Sequence, residues 1–149
     1  MSKNIKLTKS LYLILSFTWG LPMTIIGCTV AAILSSMGFK PKRFLHGWYF
    51  EVTNNSGFSM GPIATVSKNP SQYLLKHEFG HSIQNCFFGP FMIFIVIIPS
   101  VIRFWHRKYL VSTQKINRNE LPSYDSIWFE GTATRLGEMY FKYIGDNNE

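Results

Sequence analysis

The stretch His77-Glu78-Phe79-Gly80-His81 places two histidines and a glutamate at the spacing H-E-x-x-H. On a helix, residues four positions apart lie on the same face, so both imidazoles can contact one metal ion. Zinc accepts imidazole nitrogens at about 2.0–2.1 Å. Glu78 lies beside the histidines and could take a proton from a zinc-activated water. The stretch therefore predicts a helix that carries two zinc ligands and a general base.

The residues around the motif also favour a helix, which is predicted over residues 70–88. Asn69 suits the N-cap position, and Pro70 suits the first helical position. The apolar neighbours of the motif are Tyr73, Leu74, Leu75, Ile83, Phe87 and Phe88. Because the histidines lie in an apolar stretch, they differ from a chance pair on a charged surface.

A catalytic zinc site normally has three protein ligands, so a third is expected elsewhere in the chain. Glu130 is the favoured candidate, because it lies among apolar residues where a cation would offset the cost of an unpaired carboxylate. Glu138 is the rival, although a surface ion pair with its basic neighbours would also explain it. Thr134 could hydrogen-bond a zinc ligand or its own helix backbone. A helix predicted over residues 122–144 carries all three.

The first of two long apolar segments indicates an integral membrane protein. Only 15% of the 149 residues are charged, whereas about 25% is usual. Residues 11–39 contain no charged residue and no histidine. Because about 20 apolar residues are enough to cross a bilayer, a transmembrane helix is predicted over residues 10–38. Gly20-Leu21-Pro22 is expected to kink it.

A second membrane segment is predicted over residues 89–105, where Gly89-Pro90 and Pro99 interrupt the apolar sequence. If both segments crossed the membrane fully, His81 and Glu130 would lie on opposite faces and could not share a metal. The second segment is therefore expected to be re-entrant or deeply embedded, which returns the chain to the side of the motif. Alternatively, the metal site lies at membrane depth.

The chain has a net charge of +7, and many of its basic residues flank the apolar segments, as expected for residues that contact lipid headgroups. The basic residues that flank the apolar segments are Lys3, Lys6, Lys9, Lys40, Lys42, Arg43, Arg103, Arg107 and Lys108. The chain has no nucleic-acid-binding motif, so membrane lipids rather than nucleic acid are the expected partners. Cys28 and Cys86 lie in apolar stretches and are predicted to be reduced packing residues.

Between the first segment and the motif, the composition favours a β-hairpin over residues 48–67. Asn54-Asn55-Ser56-Gly57 is a strong turn signal, and Pro62 confines the return strand to a sheet edge. Such an edge could bind an extended peptide by β-addition beside the metal, or the hairpin could simply cover the site. The residues predicted to contact the peptide are Gly61, Ile63 and Ala64.

The H-E-x-x-H helix and the later stretch Trp128-Phe129-Glu130-Gly131-Thr132-Ala133 together resemble the gluzincin zinc metallopeptidases. The resemblance implies that His77, His81 and Glu130 bind zinc and that Glu78 is the base. Many gluzincins carry an aspartate four residues after the third ligand, which orients a zinc histidine. Here that position is Thr134, which supplies no charge.

A closer resemblance is to a group of small bacterial membrane proteins with an H-E-[YF]-G-H motif. The stretches that carry this resemblance are 77–84, Gly89-Pro90 and Ile98-Pro99-Ser100.

These observations predict a mainly α-helical protein of the cell membrane, with residues 1–149 as a single domain. The predicted function is a membrane-bound zinc metallopeptidase that hydrolyses peptide bonds of a peptide or protein substrate. Glu78 would be its base, and Tyr124, Tyr140 and His106 are candidates for stabilising the oxyanion. The alternative is a non-enzymatic membrane protein with a structural or vestigial zinc site, which acts as a binding or immunity-type factor.

Overall fold

The computed structural model describes residues 8–53 and 56–146. Within these ranges the chain is mostly helical and has a small mixed sheet. The α-helices are α1 (Lys9–Phe17), α2 (Leu21–Ser36), α3 (Gln72–Phe88), α4 (Ile98–Ser112) and α5 (Trp128–Asp146). The β-strands are β1 (Lys42–Phe44), β2 (Gly47–Thr53), β3 (Phe58–Met60) and β4 (Ile63–Ser67). Four residues that enter the predictions above lie outside the described ranges: Lys3, Lys6, Asn54 and Asn55.

The first apolar segment is bent into two helices, so the single helix predicted over residues 10–38 is wrong. α1 and α2 meet at an angle of 92°. Pro22 lies in the first turn of α2, where its missing N–H leaves no hydrogen bond unmade. The side-chain amide of Asn85, in α3, donates a hydrogen bond to the carbonyl oxygen of Gly20 at 3.3 Å. The bend is therefore held by a contact from the motif helix.

The strands form a mixed sheet in the order β1-β2-β4-β3. β2 and β4 pair in parallel, whereas the β1–β2 and β3–β4 pairs are antiparallel. The hairpin predicted over residues 48–67 is therefore wrong in its pairing. β3 follows β2 in the chain and is antiparallel to β4. The chain reverses at Gly61-Pro62 after β3, so β4 runs in the same direction as β2. Gly61 has a φ of +63°, a conformation that favours glycine.

Helix α3 lies at the centre of the structure, between α1, α5 and the sheet. Every residue from His77 to Cys86 is buried. A core cluster joins Tyr12 of α1, Phe79 of α3 and Tyr140 of α5. The polar residues of the H-E-x-x-H motif are consequently inside the protein rather than on its surface.

Two glycines allow α3 and α5 to pack with their backbones in contact. A Cβ atom built on Gly80 would lie 1.8 Å from the carbonyl oxygen of Ala133 in α5. A Cβ atom built on Gly137 would lie 1.8 Å from the carbonyl oxygen of Lys76 in α3. Neither position has room for a side chain, because the two helices approach each other closely over the length of the motif.

Helix α5 begins at Trp128, six residues later than the sequence predicts. A short 3₁₀ turn, Tyr124–Ser126, precedes it. One guanidinium nitrogen of Arg103 in α4 donates to the carbonyl oxygens of Ser123 and Tyr124, at 3.0 and 3.1 Å. These bonds fix the backbone in the turn, so the helix cannot start earlier.

The second apolar segment is also bent and returns the chain to the side of the motif. A 3₁₀ turn (Gly89–Phe91) and a π-helical turn (Ile93–Ile97) separate α3 from α4, and the overall bend is 115°. Ser100, in the first turn of α4, donates a hydrogen bond to Glu130 at 2.6 Å. α4 then continues to Ser112, beyond the predicted end at residue 105.

Among the described helices, none alone has both the length and the apolar composition to cross a membrane. Two bent helix pairs reach that length and composition when each pair is counted as one, and these are α1 with α2 and Gln72–Phe91 with Ile93–Ser112. Both pairs expose large apolar side chains, which include Ile14, Phe17, Ile25, Ile33, Phe91, Phe94, Ile102 and Trp105. Both cysteines are free; Cys86 is buried, but Cys28 is exposed and therefore is not the packing residue that was predicted.

Candidate metal centre

Helix α3 supplies His77, Glu78 and His81. It starts one residue after Ser71, whose hydroxyl accepts a hydrogen bond from the backbone N–H of Leu74 at 3.1 Å. Ser71 is therefore the N-cap in place of the predicted Asn69. The centroids of the two imidazole rings are 4.8 Å apart, as expected for residues one helical turn apart.

Glu130, in the first turn of α5, faces both histidines. Its Oε2 atom lies 3.0 Å from Nε2 of His81 and 3.3 Å from Nε2 of His77. One ligand atom from each of the three residues lies within 4.8 Å of the others, so the group could hold a metal ion. The rival candidate, Glu138, is exposed on the surface of α5.

The environment of Glu130 is that of an ionised carboxylate. It is 1% exposed, and Ser100 donates a hydrogen bond to its Oε1 atom. Burial alone would raise the pKa of Glu130, but hydrogen bonds from His77, His81 and Ser100 outweigh burial and hold that pKa well below its usual range. A buried anion beside two imidazole nitrogens is the environment that a divalent cation requires.

The ring of His81 is oriented by Gln84. Nδ1 of His81 lies 2.8 Å from Oε1 of Gln84. The amide of Gln84 cannot be flipped, because its nitrogen donates to the carbonyl oxygen of Phe129 at 2.7 Å. Nδ1 of His81 must therefore carry a hydrogen, so Nε2 is the nitrogen that would bind a metal. Without a metal, Nε2 hydrogen-bonds Glu130 at 3.0 Å.

The ring of His77 is oriented by a chain of three side chains that ends on a carboxylate. Nδ1 of His77 lies 2.8 Å from the hydroxyl oxygen of Thr134. Thr134 hydrogen-bonds the hydroxyl of Tyr73, which in turn donates to Oδ2 of Asp125. Burial and the Asp125 carboxylate raise the pKa of Tyr73, so this phenol keeps its proton.

The carboxylate of Asp125 determines the direction of every hydrogen bond in this chain. Asp125 can only accept, so Tyr73 donates to Asp125, Thr134 donates to Tyr73, and Nδ1–H of His77 donates to Thr134. Nε2 of His77, which faces Glu130 at 3.3 Å, is therefore the nitrogen that would bind a metal. Thr134 and Tyr73 thus connect the ring of His77 to the Asp125 carboxylate.

Glu78 lies beside the three ligands and is 5% exposed. Its Oε2 atom is buried and has no hydrogen-bond partner among the described residues. Burial raises the pKa of Glu78, and the nearby Glu130 carboxylate raises it further, whereas His81 and His77 oppose the shift. Gly57 packs against this carboxyl group so closely that no Cβ atom would fit there. A buried carboxyl group with a raised pKa and one oxygen without a hydrogen-bond partner is suited to exchanging protons.

A cleft of about 750 Å³ opens onto the motif residues His77 and Glu78. This volume lies within the range of about 300–1,000 Å³ that is typical of ligand sites. Residues of α3 form one wall and residues of α4 form the other, with Tyr124 and Asp125 between them. The hydroxyl of Tyr124 is 3.2 Å from Ser100, which bonds Glu130, so this tyrosine connects the cleft wall to the ligand group.

The predicted peptide-binding strand is not an edge. Ile63 and Ala64 belong to β4, which pairs with β2 on one side and β3 on the other, so their backbone groups are already bonded. Gly61 forms the turn before β4, and its carbonyl oxygen accepts a hydrogen bond from Ser82 at 2.6 Å. The edge strand nearest the site is β3, and Ser56 and Gly57, which precede it, line the cleft.

Four residues of the candidate metal centre were not identified from the sequence: Tyr73, Gln84, Ser100 and Asp125. Gln84 had a usable signal, because it lies three residues after His81 on the same helix face. Tyr73 likewise lies one turn before His77. Ser100 and Asp125 come from separate elements, and only the folded arrangement brings them to the site.

No known protein family, curated protein or solved structure matches this chain. The resemblance to gluzincins therefore remains a prediction, which rests on the motif residues alone.

Proposed function

We propose that the protein is a membrane-associated zinc metallopeptidase. One observation carries this proposal: the ligand atoms of His77, His81 and Glu130 converge beside the buried carboxyl group of Glu78, whose Oε2 atom has no hydrogen-bond partner among the described residues, and a cleft of peptide-sized volume opens there. A protein that only needed a structural metal would not require such a buried carboxyl group at this position, because it is destabilising.

The donor set supports zinc as the metal. Two neutral imidazoles and one carboxylate are the protein ligands of one common class of catalytic zinc sites. The contacts of Nδ1 with Gln84 and Thr134 leave Nε2 of each histidine facing Glu130, where it would bind the metal. A zinc ion held there would act as a Lewis acid toward a carbonyl oxygen and would acidify a water molecule.

The remaining chemistry belongs to the protein's own side chains. Glu78 would take a proton from the attacking water on its Oε2 atom and pass it to the nitrogen of the departing amine. Among the oxyanion candidates, Tyr124 has the support of position, because it lines the cleft with His77 and Glu78. Burial raises the pKa of Tyr124, so its phenol remains a hydrogen-bond donor at neutral pH. Tyr140 is packed in the core, away from the cleft.

The number of candidate ligands favours an enzyme over a structural or vestigial zinc protein. A closed structural site has four protein ligands, whereas a catalytic site has three and one open position. The described residues supply three candidate ligands. The cleft reaches His77, which would lie beside the open coordination position.

Membrane association is proposed from the exposed apolar side chains of the two bent helix pairs. Phe94 is 68% exposed and Ile102 is 63% exposed, and neither lies on the cleft. Large exposed apolar surfaces are typical of proteins that bind other proteins or lipids. The cell membrane remains the proposed location.

The test of the proposed function compares wild type with Glu78→Gln, after the zinc content of both has been measured by mass spectrometry. We expect about one zinc ion per chain in each protein, because Glu78 is not a ligand. The peptide-hydrolysis rate should fall by at least about 100-fold in the variant. Glu138→Gln, which changes an exposed glutamate of α5, is the matched control and should retain full activity. An unchanged rate in Glu78→Gln, or a wild-type protein that binds no metal, would refute the proposal.

A further inference from the structure

The wall of the cleft that faces the motif helix is strongly basic. Residues Phe104, Arg107, Lys108, Val111 and Ser112 of α4 all line the cleft. Their spacing of i, i+3, i+4, i+7 and i+8 defines one helix face. Both cations of this group therefore face the cleft, and Arg118, from the 3₁₀ turn Arg118–Glu120, adds a third.

The acidic groups near these cations are already engaged. Glu120 accepts hydrogen bonds from the backbone and the side chain of Asn117, each at 3.2 Å. Asp125 accepts from Tyr73. Among the described residues, no carboxylate lies within 4.0 Å of Arg107, Lys108 or Arg118. The cleft therefore has positive charge on one wall that no carboxylate of the described residues neutralises.

Arg107 is held in place beside the metal centre. One of its guanidinium nitrogens donates to the carbonyl oxygen of Pro122 at 2.7 Å. Its guanidinium carbon lies 5.6 Å from the centre of the Tyr124 ring. The hydroxyl of the same ring is 3.2 Å from Ser100, the donor to Glu130. A peptide substrate bound at the metal would therefore place the residues that lie close to its cleaved bond beside Arg107.

We propose that the basic wall formed by Arg107, Lys108 and Arg118 selects peptides that carry carboxylates close to the bond that is cut. This inference rests on the proposed function and names its substrate class. Guanidinium groups bind carboxylates with paired hydrogen bonds, which gives both affinity and orientation. The carboxylate can belong to an aspartate or glutamate side chain or to the C-terminus of the peptide.

A lipid headgroup is the other anion that could meet these cations, but their position favours the peptide. The apolar side chains of α4 that are most exposed, including Ile102 and Trp105, do not line the cleft. Arg107 contacts Tyr124 and the carbonyl oxygen of Pro122 in the cleft instead. Lys108 also lines the cleft, and its ammonium lies 5.0 Å from the centre of the Trp105 ring. Cations that anchor a helix at a lipid surface are expected beside its exposed apolar face.

The test uses the zinc-loaded full chain and a mixture of unstructured peptides, with cleaved bonds identified by mass spectrometry. Matched peptides are then made around a cleaved bond, with glutamates replaced by glutamines in one and the C-terminus amidated in another. We expect kcat/KM to be about tenfold higher for the carboxylate that the wall binds, and the two replacements identify which one it is. Equal rates for all peptides would overturn the inference while leaving the proposed function in place.

The decisive variant is Lys108→Gln/Arg118→Gln, because neither side chain donates a hydrogen bond within the described structure. Its preference for the acidic peptide should fall to about twofold or less. The control Lys68→Gln/Arg135→Gln removes the same charge from exposed positions that do not line the cleft, and it should keep the tenfold preference. Charge reversal, Lys108→Glu/Arg118→Glu, should favour a lysine-containing peptide instead. An unchanged preference in the first variant would overturn the inference.

Binding measurements separate this inference from the proposed function. If wild type cleaves no peptide, fluorescence anisotropy with zinc-loaded Glu78→Gln measures the affinity for the acidic and amidated peptides directly. Tighter binding of the acidic peptide, lost on Lys108→Gln/Arg118→Gln, supports the inference even then. A variant that loses binding to phosphatidylglycerol vesicles but keeps the peptide preference would assign the cations to lipid and overturn it.

Discussion

Replacing Gly80 with alanine should separate the two helices that build the metal centre. A Cβ atom at this position would lie 1.8 Å from the carbonyl oxygen of Ala133, whereas real Cβ contacts are essentially never shorter than 3.0 Å. The helices must therefore move apart by about 1.2 Å, the difference between these two distances. Glu130 lies one turn before Ala133 in α5 and would move with it.

A displacement of this size exceeds what a metal site tolerates, which is about 0.2 Å in its ligand distances. Loss of a partner that only orients a ligand lowers metal affinity by about 10–100-fold. Moving the ligand Glu130 itself should lower the affinity of Gly80→Ala for zinc by at least about 100-fold. The overpacked helix contact should also destabilise the metal-free protein by about 1–3 kcal/mol.

The matched control is Gly27→Ala in α2, where a Cβ atom would lie 2.2 Å from the carbonyl oxygen of Met60. Both glycines are in helix interiors, so the gain in helix propensity from alanine is the same. Zinc affinity is measured by competition with a chromophoric chelator, and stability by thermal unfolding of the metal-free proteins. Gly27→Ala should lose stability but keep its zinc affinity. If Gly80→Ala binds zinc within about threefold of wild type, the reasoning is refuted.

Three further predictions concern the base, the histidine orientation and the apolar surface. Burial raises the pKa of Glu78, so the folded metal-free protein favours the protonated carboxyl group. The stability that this protonated group contributes is lost as the pH rises from 4.5 through the raised pKa. Glu78→Gln should therefore stabilise the metal-free protein by about 1–3 kcal/mol at pH 8 and change little at pH 4 in thermal unfolding; a larger gain at pH 4 would contradict the argument. Tyr73→Phe interrupts the chain from Asp125 and should weaken zinc binding about tenfold in chelator competition, whereas Tyr109→Phe, on α4 away from the cleft, should not. Phe94→Ser/Ile102→Ser should reduce flotation with lipid vesicles at least about tenfold while the zinc content stays the same; undiminished flotation would exclude this surface as the lipid contact.

The candidate metal ligands could be predicted from the sequence because their constraints are local or chemical. The i, i+4 spacing of His77 and His81 on one helix is a local property. Glu130 was identified because its apolar neighbours make an unpaired carboxylate unfavourable, and the structure places it against both histidines. In both cases the relevant information lies within a few residues of the ligand.

The sheet and the bends depend on contacts between distant residues, and here the sequence was a poorer guide. Gly20 and Pro22 correctly indicated where the first apolar segment breaks, but the angle of 92° depends on a hydrogen bond from Asn85, 65 residues away. The parallel pairing of β2 with β4 follows from the insertion of β3, and no spacing rule within the predicted hairpin indicates it.

Ser100 connects the proposed lipid-facing surface to the proposed zinc site through its hydrogen bond to Glu130. If the protein binds zinc and lipid as proposed, its zinc affinity would depend on the surrounding medium as well as on the ligands. Ser100 lies on the helix that carries Ile102 and Trp105 to the surface, so a lipid bilayer that holds this helix also holds the donor to the metal ligand. Thermodynamic linkage is reciprocal: whatever factor the bilayer adds to zinc affinity, zinc must add to affinity for the bilayer. Zinc titrations in detergent, in vesicles and in buffer would then give three different dissociation constants for one unchanged set of ligands.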